Sequence, residues 1–150
     1  MLLAAEGFLM NVDYLVLADA VAAAEGKHYI HGAGWDTIWA GSFPVSHPSM
    51  GVAVRLRVPW TDTNQPHAIA LDLIDGDGQS ILANPIQGDI NVGRPPTIPP
   101  GQDQVLSLAF NLVGVRFERP ADFVVVVRID GVDQGRAPFH VAQSPKQPAA

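Results

Sequence analysis

Cysteine is absent from the 150 residues. That excludes disulfides, thiolate catalysis and cysteine-ligated zinc. Charge is scarce as well: Asp, Glu, Lys and Arg together make up 16% of the chain, against roughly 25% in an average soluble domain. So little charge implies either a two-layer core with little polar surface or an apolar patch that meets a partner. Basic residues are the scarcer sign, 9 against 15 acidic, and the net charge is −6. Such a chain repels phosphate backbones, and no Lys/Arg cluster offsets the repulsion, so nucleic acid is not an expected partner. No apolar run has the length or purity of a membrane span, so no membrane partner is expected either. Met1 to Leu9 is apolar, but no Lys or Arg precedes Lys27, and Glu6, Asp13 and Asp19 interrupt the run. A secretory leader wants a basic start and an unbroken apolar stretch. The sequence therefore reads as cytoplasmic, with residues 1–10 as an extra N-terminal segment and Met10 as the start.

Hydrophobic residues are plentiful at 47%, and their spacing sets the fold class. Val52, Val54, Leu56 and Val58 alternate with Ala53, Arg55 and Arg57. That two-residue period is the mark of a half-buried strand. Leu106, Leu108, Phe110 and Leu112 repeat it, as do Ile69, Leu71 and Leu73 with Asp72 opposed. Phe123 to Ile129 is β-branched on both faces until Arg128, as in a central strand. Asp130-Gly131 follows, a pair that favours the positive φ angles of a tight hairpin turn, so 121–141 is expected as a hairpin. Pro138 cannot donate to a ladder and should mark an edge. Asp75-Gly76-Asp77-Gly78 reads as a second hairpin turn, with a short strand returning near 80–83.

Within the stretch from Val12 to Trp39, Ala18 to Glu25 is rich in alanine, which favours helix, yet Tyr14 to Val21 alternates as a strand, and Glu25-Gly26 looks like a turn between two strands. A hairpin is the reading taken. The segments 41–49 and 93–101 read as two stiff loops, the second fixed by paired prolines. Residues 143–150 read as a flexible tail. Short strands, Gly/Pro punctuation and little or no helix predict one all-β domain over 11–142. The expected form is an antiparallel sandwich of about eight or nine strands, immunoglobulin-like, C2-like or jelly-roll-like.

Several local patterns resemble an uncharacterised family of small bacterial proteins of actinobacterial type. They are Asp13-Tyr14-Leu15-Val16-Leu17-Ala18-Asp19, Glu25-Gly26-Lys27, Gly34-Trp35-Asp36 leading to Phe43-Pro44, Val58-Pro59-Trp60, Asp75-Gly76-Asp77-Gly78 and the prolines after Gly93-Arg94. The resemblance spans Asn11 to Val141. It implies a compact β-sandwich, and it implies no activity, cofactor or catalytic residue.

No motif for catalysis stands out. None of the serines sits in a Gly-x-Ser-x-Gly elbow. His28 and His31 are three apart and face opposite sides of a strand, a poor chelating pair. Asp72, Asp75 and Asp77 are weak metal candidates, because a calcium loop needs a third acid and a later Glu where Gln79 and Ser80 stand. A plain turn is the preferred reading, and no cofactor is expected. The residues taken as ligand-binding candidates are Trp35, Trp39, Trp60, Asp62, Asn64 and Arg94. Trp35 and Trp39 share a face if their strand is regular, although large aromatics usually fill cores. Trp60 opens the polar loop Thr61-Asp62-Thr63-Asn64, and Arg94 in the proline loop suits an anion. Together these features favour a non-catalytic binding or assembly module that meets a protein or small molecule through rigid loops. The runner-up is a hydrolase using loop carboxylates, with or without a metal. The third reading is a homo-oligomer paired through an exposed edge strand or apolar face.

Overall fold

The computed structural model describes residues 10–145. In chain order the strands are β1 (Asn11–Ala18), β2 (Ala20–Ala24), β3 (Lys27–His31), β4 (Thr37–Ala40), β5 (Val45–Val58), β6 (Pro66–Ile74), β7 (Ile86–Asn91), β8 (Gln104–Phe117), β9 (Ala121–Ile129) and β10 (Val132–Gln143). A 3-10 turn, Trp60–Asp62, follows β5. One sheet has the order β1-β5-β8, the other β4-β10-β9-β6-β7, and β2-β3 form a separate hairpin. The fold is an all-β sandwich, with the strand order of an immunoglobulin-type domain. Among the described residues every pairing is antiparallel except β4 on β10, which is parallel. Three strands and five make eight in the sandwich, and the hairpin adds a further pair outside it.

Alternation places the core where the sequence puts it. Val52, Val54, Leu56 and Val58 of β5 are fully buried, as are Leu71 and Leu73 of β6 and Val125 and Val127 of β9. At one end Phe117, Phe123 and Phe139 form an aromatic triangle with ring centroids 5.0 to 6.1 Å apart. The hairpin 121–141 is present, and its turn residues Asp130 and Gly131 have φ 51° and 79°, as a two-residue turn of this hand requires. Pro138 lies on the part of β10 that β4 does not cover, since β4 pairs only with residues from His140 to Gln143. Ser144 N–H also donates to the Ala40 carbonyl at 2.8 Å, so the chain is tied down past the expected start of the tail.

Two expected segments differ. The stretch 41–49 is a loop only to Pro44, and β5 already begins at Val45. Its plain alternation is hidden by a matched irregularity. Pro48 in β5 and Gly114 in β8 (φ 68°) fall opposite each other and neither has a Cα partner. Each strand carries one extra residue there, so inward positions move from Met50 to Val45 and from Leu112 to Val115 and Phe117 with a change of parity. Pro48 is tolerated because β1 stops at Ala18, opposite Gly51, which leaves that side of β5 unpaired. After the turn at 75–79, only an isolated bridge joins Ile74 to Ser80, and the returning strand is β7, starting at Ile86.

The β2-β3 hairpin lies on the outer face of the three-stranded sheet. Val21 packs with Ala18 and Ala53 in a small second core. Gly51 makes the close approach feasible, since a Cβ there would stand 2.9 Å from Val21 and 3.0 Å from the Ala20 backbone. Asn111 of β8 bonds Val21 twice, accepting from its N–H at 3.0 Å and donating to its carbonyl at 2.8 Å. His28 donates from Nε2 to the Leu108 carbonyl at 2.8 Å and accepts the Tyr14 hydroxyl at Nδ1 at 2.6 Å. The hairpin thus takes up backbone and side-chain groups along the N-terminal half of β8, the outermost strand of its sheet. Edge strands are commonly shielded in this way.

Candidate functional site

Four of the six candidate residues converge at one end of the sandwich, where β5 ends and β8 begins. The chain leaves β5 at Val58, makes the 3-10 turn over Trp60–Asp62 and enters β6 at Pro66. Asn64 takes φ 59° in this tight reversal, and its N–H donates to the Val92 carbonyl at 2.7 Å. Asn is one of the few non-glycine residues that tolerates such a backbone. The bond brings the proline loop alongside.

Arg94 then locks the two loops together. Its guanidinium stands 4.1 Å from the centroid of the Trp60 ring, a cation–π distance. Its Nε donates to Thr63 Oγ1, and its Nη2 donates to the Trp60 carbonyl at 2.8 Å. Thr63 Oγ1 in turn donates to that same carbonyl at 2.6 Å. Gln104 fixes the loop from the other side, donating to the Gly93 carbonyl at 2.8 Å. Two of the five N–H donors of Arg94 are thus spent inside the protein, which makes it a clamp between the two loops. The Asp62 carboxylate accepts the Met10 N–H at 2.9 Å and anchors the start of β1.

Beneath this end sits His67, a residue that the sequence reading passed over. It is 8% exposed. Its Nδ1 is 2.8 Å from Asp130 Oδ2 and its Nε2 is 2.7 Å from the Asp62 carbonyl. Both partners are acceptors, so both ring nitrogens donate, which is the arrangement of an imidazolium. Burial pushes the imidazole pKa down. The hydrogen bonds to Asp130 and Asp62 and the negative charge of Asp130 outweigh burial and hold it above the ordinary histidine value. The Asp130 carboxyl is held below its usual range, chiefly by the hydrogen bond from His67. Asp130 also accepts the Ala68 N–H at 2.9 Å, so one carboxylate ties the β9–β10 turn to the start of β6. A signal for His67 was present in the sequence: it shares the parity of Ile69, Leu71 and Leu73, which places it on the buried face, where a polar ring needs partners.

The other candidates lie elsewhere. Trp35 precedes β4 and packs edge-on against Phe139, with ring centroids 6.4 Å apart, as part of the core wall. Trp39 is 61% exposed on the outer face of β4. The two do not share a face, because Trp35 falls before the strand and its period does not extend there. Asp72, Asp75 and Asp77 do not form one site. Asp72 is buried, accepts from Ser80 Oγ at 2.6 Å and lies 3.5 Å from Arg128. Asp75 caps its own turn, accepting N–H groups from Asp77 and Gln79 at 2.9 and 3.0 Å. Among the described residues no three His, Asp or Glu side chains are grouped to hold a metal.

A family model matches residues 13–142, nearly the whole sandwich. The chain belongs to DUF6941, a family of unknown function. No curated protein matches this DUF6941 member. Among solved structures it is similar to the Pseudomonas fluorescens alkylpurine DNA glycosylase AlkC bound to DNA containing an abasic-site analogue, with 14% identity and a TM-score of 0.45 over 89% of this chain and 30% of that one. It is also similar to a β-glucosidase from Listeria innocua, with 11% identity and a TM-score of 0.42 over 89% of this chain and 16% of that one. The DUF6941 chain therefore spans less than a third of either protein, and a likeness of this degree says nothing of its function. No helix among its described residues is long and apolar enough to cross a membrane.

Proposed function

We propose that this DUF6941 member is a non-catalytic binding module that meets a protein or small-molecule partner through the end of the sandwich formed by residues 59–65 and 92–104. The supporting observation is the Arg94 clamp. It welds two loops that are 31 residues apart in sequence through Thr63, Trp60 and their shared hydrogen bonds. Loops already ordered before binding lose little entropy when a partner arrives. Around the clamp, Thr61, Asn64, Gln65, Thr97 and four prolines stand exposed. They form a rim rich in hydrogen-bonding groups and poor in charge, a composition suited to recognition without strong electrostatic steering. Nucleic acid is not the partner proposed, given the net charge of −6. We also propose a cytoplasmic setting, to be checked by cell fractionation; recovery with the membranes or in the medium would count against it.

The test is affinity capture from the native host with the wild type and with the double variant Thr61→Lys/Thr97→Lys. Two bulky cations on the rim should abolish retention of the captured partner while the melting temperature stays put. A partner retained equally by both forms binds elsewhere, and the proposed surface is then wrong.

A further inference from the structure

The opposite end of the sandwich holds a second, chemically different site. β8 ends at Phe117 and β9 begins at Ala121, and the segment 75–81 closes over the gap between the two sheets. These elements enclose a pocket of about 350 Å³ lined by Asp75, Ile81, Arg116, Phe117, Glu118, Arg119, Ala121 and Phe123. The volume lies at the small end of the range for ligand sites. Its floor is the edge of the core, where Phe117 and Phe123 meet with ring centroids 5.0 Å apart. Its walls are Ile81 and Ala121, both packed against the core.

The rim carries four charged side chains, and two of them are paired with each other. Arg116 Nε is 2.6 Å from Glu118 Oε1. Asp75 is held by its own turn, its Oδ1 accepting the Asp77 and Gln79 N–H groups. Arg119 has no hydrogen bond or ion pair among the described residues. One unpaired guanidinium beside an apolar floor suits an anion with an apolar body, and a carboxylate matches the planar fork of arginine. Glu118 and Asp75 on the same rim repel further negative charge and limit the head to a single one. We propose that this pocket binds a small monocarboxylate with an aryl or short alkyl body, its apolar part on Ile81, Phe117 and Phe123 and its carboxylate on Arg119.

The test is a titration of the full chain, followed by amide NMR, with 3-phenylpropionate, its neutral amide and the dicarboxylate phenylsuccinate. The expected result is saturable shifts confined to residues 75, 81 and 116–123, with the amide and the dicarboxylate binding more weakly. Arg119→Gln should weaken 3-phenylpropionate about tenfold, the scale of one charge-assisted hydrogen bond at a wet rim. Ala121→Leu should fill the pocket and abolish the shifts, while an unchanged amide spectrum elsewhere certifies the fold. No saturable shift at millimolar ligand, equal binding of the amide, or indifference to Arg119→Gln would each overturn the proposal.

Discussion

His67 offers the sharpest test of how the loop end is held. The perturbation is His67→Ala, which leaves two acceptors, the Asp62 carbonyl and the Asp130 carboxylate, facing a void. The two losses are unequal. Asp130 is 54% exposed, so water replaces its partner at little cost. The Asp62 carbonyl bonds to a ring that is 8% exposed, and water reaches it poorly. A hydrogen bond to a charged group contributes about 1.5–3 kcal/mol, and an acceptor left dry costs at the upper end of that range. The expected loss at pH 6 is therefore about 2–3 kcal/mol. For a domain between the usual small and medium sizes this is a drop of roughly 6–12 °C in Tm.

The pH dependence carries the distinctive signature. His67 has its pKa raised in the folded state, so its stabilisation is complete below the ordinary histidine value, about 6.5, and fades as pH rises through the folded value. A neutral imidazole has one N–H for two acceptors, so one contact then sets lone pair against lone pair. Asp130 has its pKa lowered; its part is present above the ordinary carboxylate value and disappears as pH falls through the folded one. Thermal melts of wild type and His67→Ala, followed by circular dichroism across pH 4 to 9, should give a gap in Tm that is widest near pH 6 and narrows toward 9. His67→Gln, whose single donor nitrogen can serve one of the two opposed acceptors while its carbonyl faces the other, should behave at all pH values like the wild type at high pH. A gap of constant size from pH 6 to pH 9 would refute the imidazolium reading.

Further outcomes follow from the hairpin and the core. Gly51→Val should lift the β2-β3 hairpin, because its Cβ meets Val21 and Ala20 at 2.9–3.0 Å; faster tryptic cleavage at Lys27 with an intact sandwich is the readout, and an unchanged rate contradicts the packing. Asn111→Ala removes both bonds to Val21 and should cost about 1–2 kcal/mol in denaturant melts, with quicker hydrogen exchange at the Val21 amide. Phe139→Ala removes one corner of the aromatic triangle, where the side chain is fully buried, and should cost about 3–5 kcal/mol. A loss below about 1 kcal/mol would mean that the two sheets close up around the gap.

Legibility of the fold tracked the regularity of the strands. The alternating runs at 52–58, 69–73 and 106–112 and the Asp130-Gly131 turn declared themselves, because one face of each strand is buried and the period survives. Recognition ended where two strands deform together. At Pro48 and Gly114 both alternations change parity, and no single-strand pattern shows that the irregularities compensate each other. β7 was invisible for a different reason: Gln87, Gly88 and Asp89 are exposed on an edge, and only Ile86 and Ile90 reach the core. The candidate site was legible in part. Trp60, Asp62, Asn64 and Arg94 converge as residues of facing loops should, but two donors of Arg94 bond to the neighbouring loop, which spacing cannot reveal. Trp35 and Trp39 separated because a four-residue offset implies a shared face only inside one regular strand.

The edges of the sandwich bear on the third reading, self-association. β4 is four residues long and β7 six, too short to offer an extended template. β8 has 14 residues, yet its Ser107, Leu108 and Asn111 are engaged by Gly26, His28 and Val21 of the hairpin, and Gly114 kinks its C-terminal half. Self-pairing through β8 would require the hairpin to leave. The Gly51→Val variant therefore serves a second purpose. If the hairpin shields the edge, lifting it should raise the molecular mass seen by light scattering as protein concentration increases, while the wild type holds one mass. If the variant also keeps one mass with its hairpin cleavable, the kink at Gly114 is sufficient protection by itself.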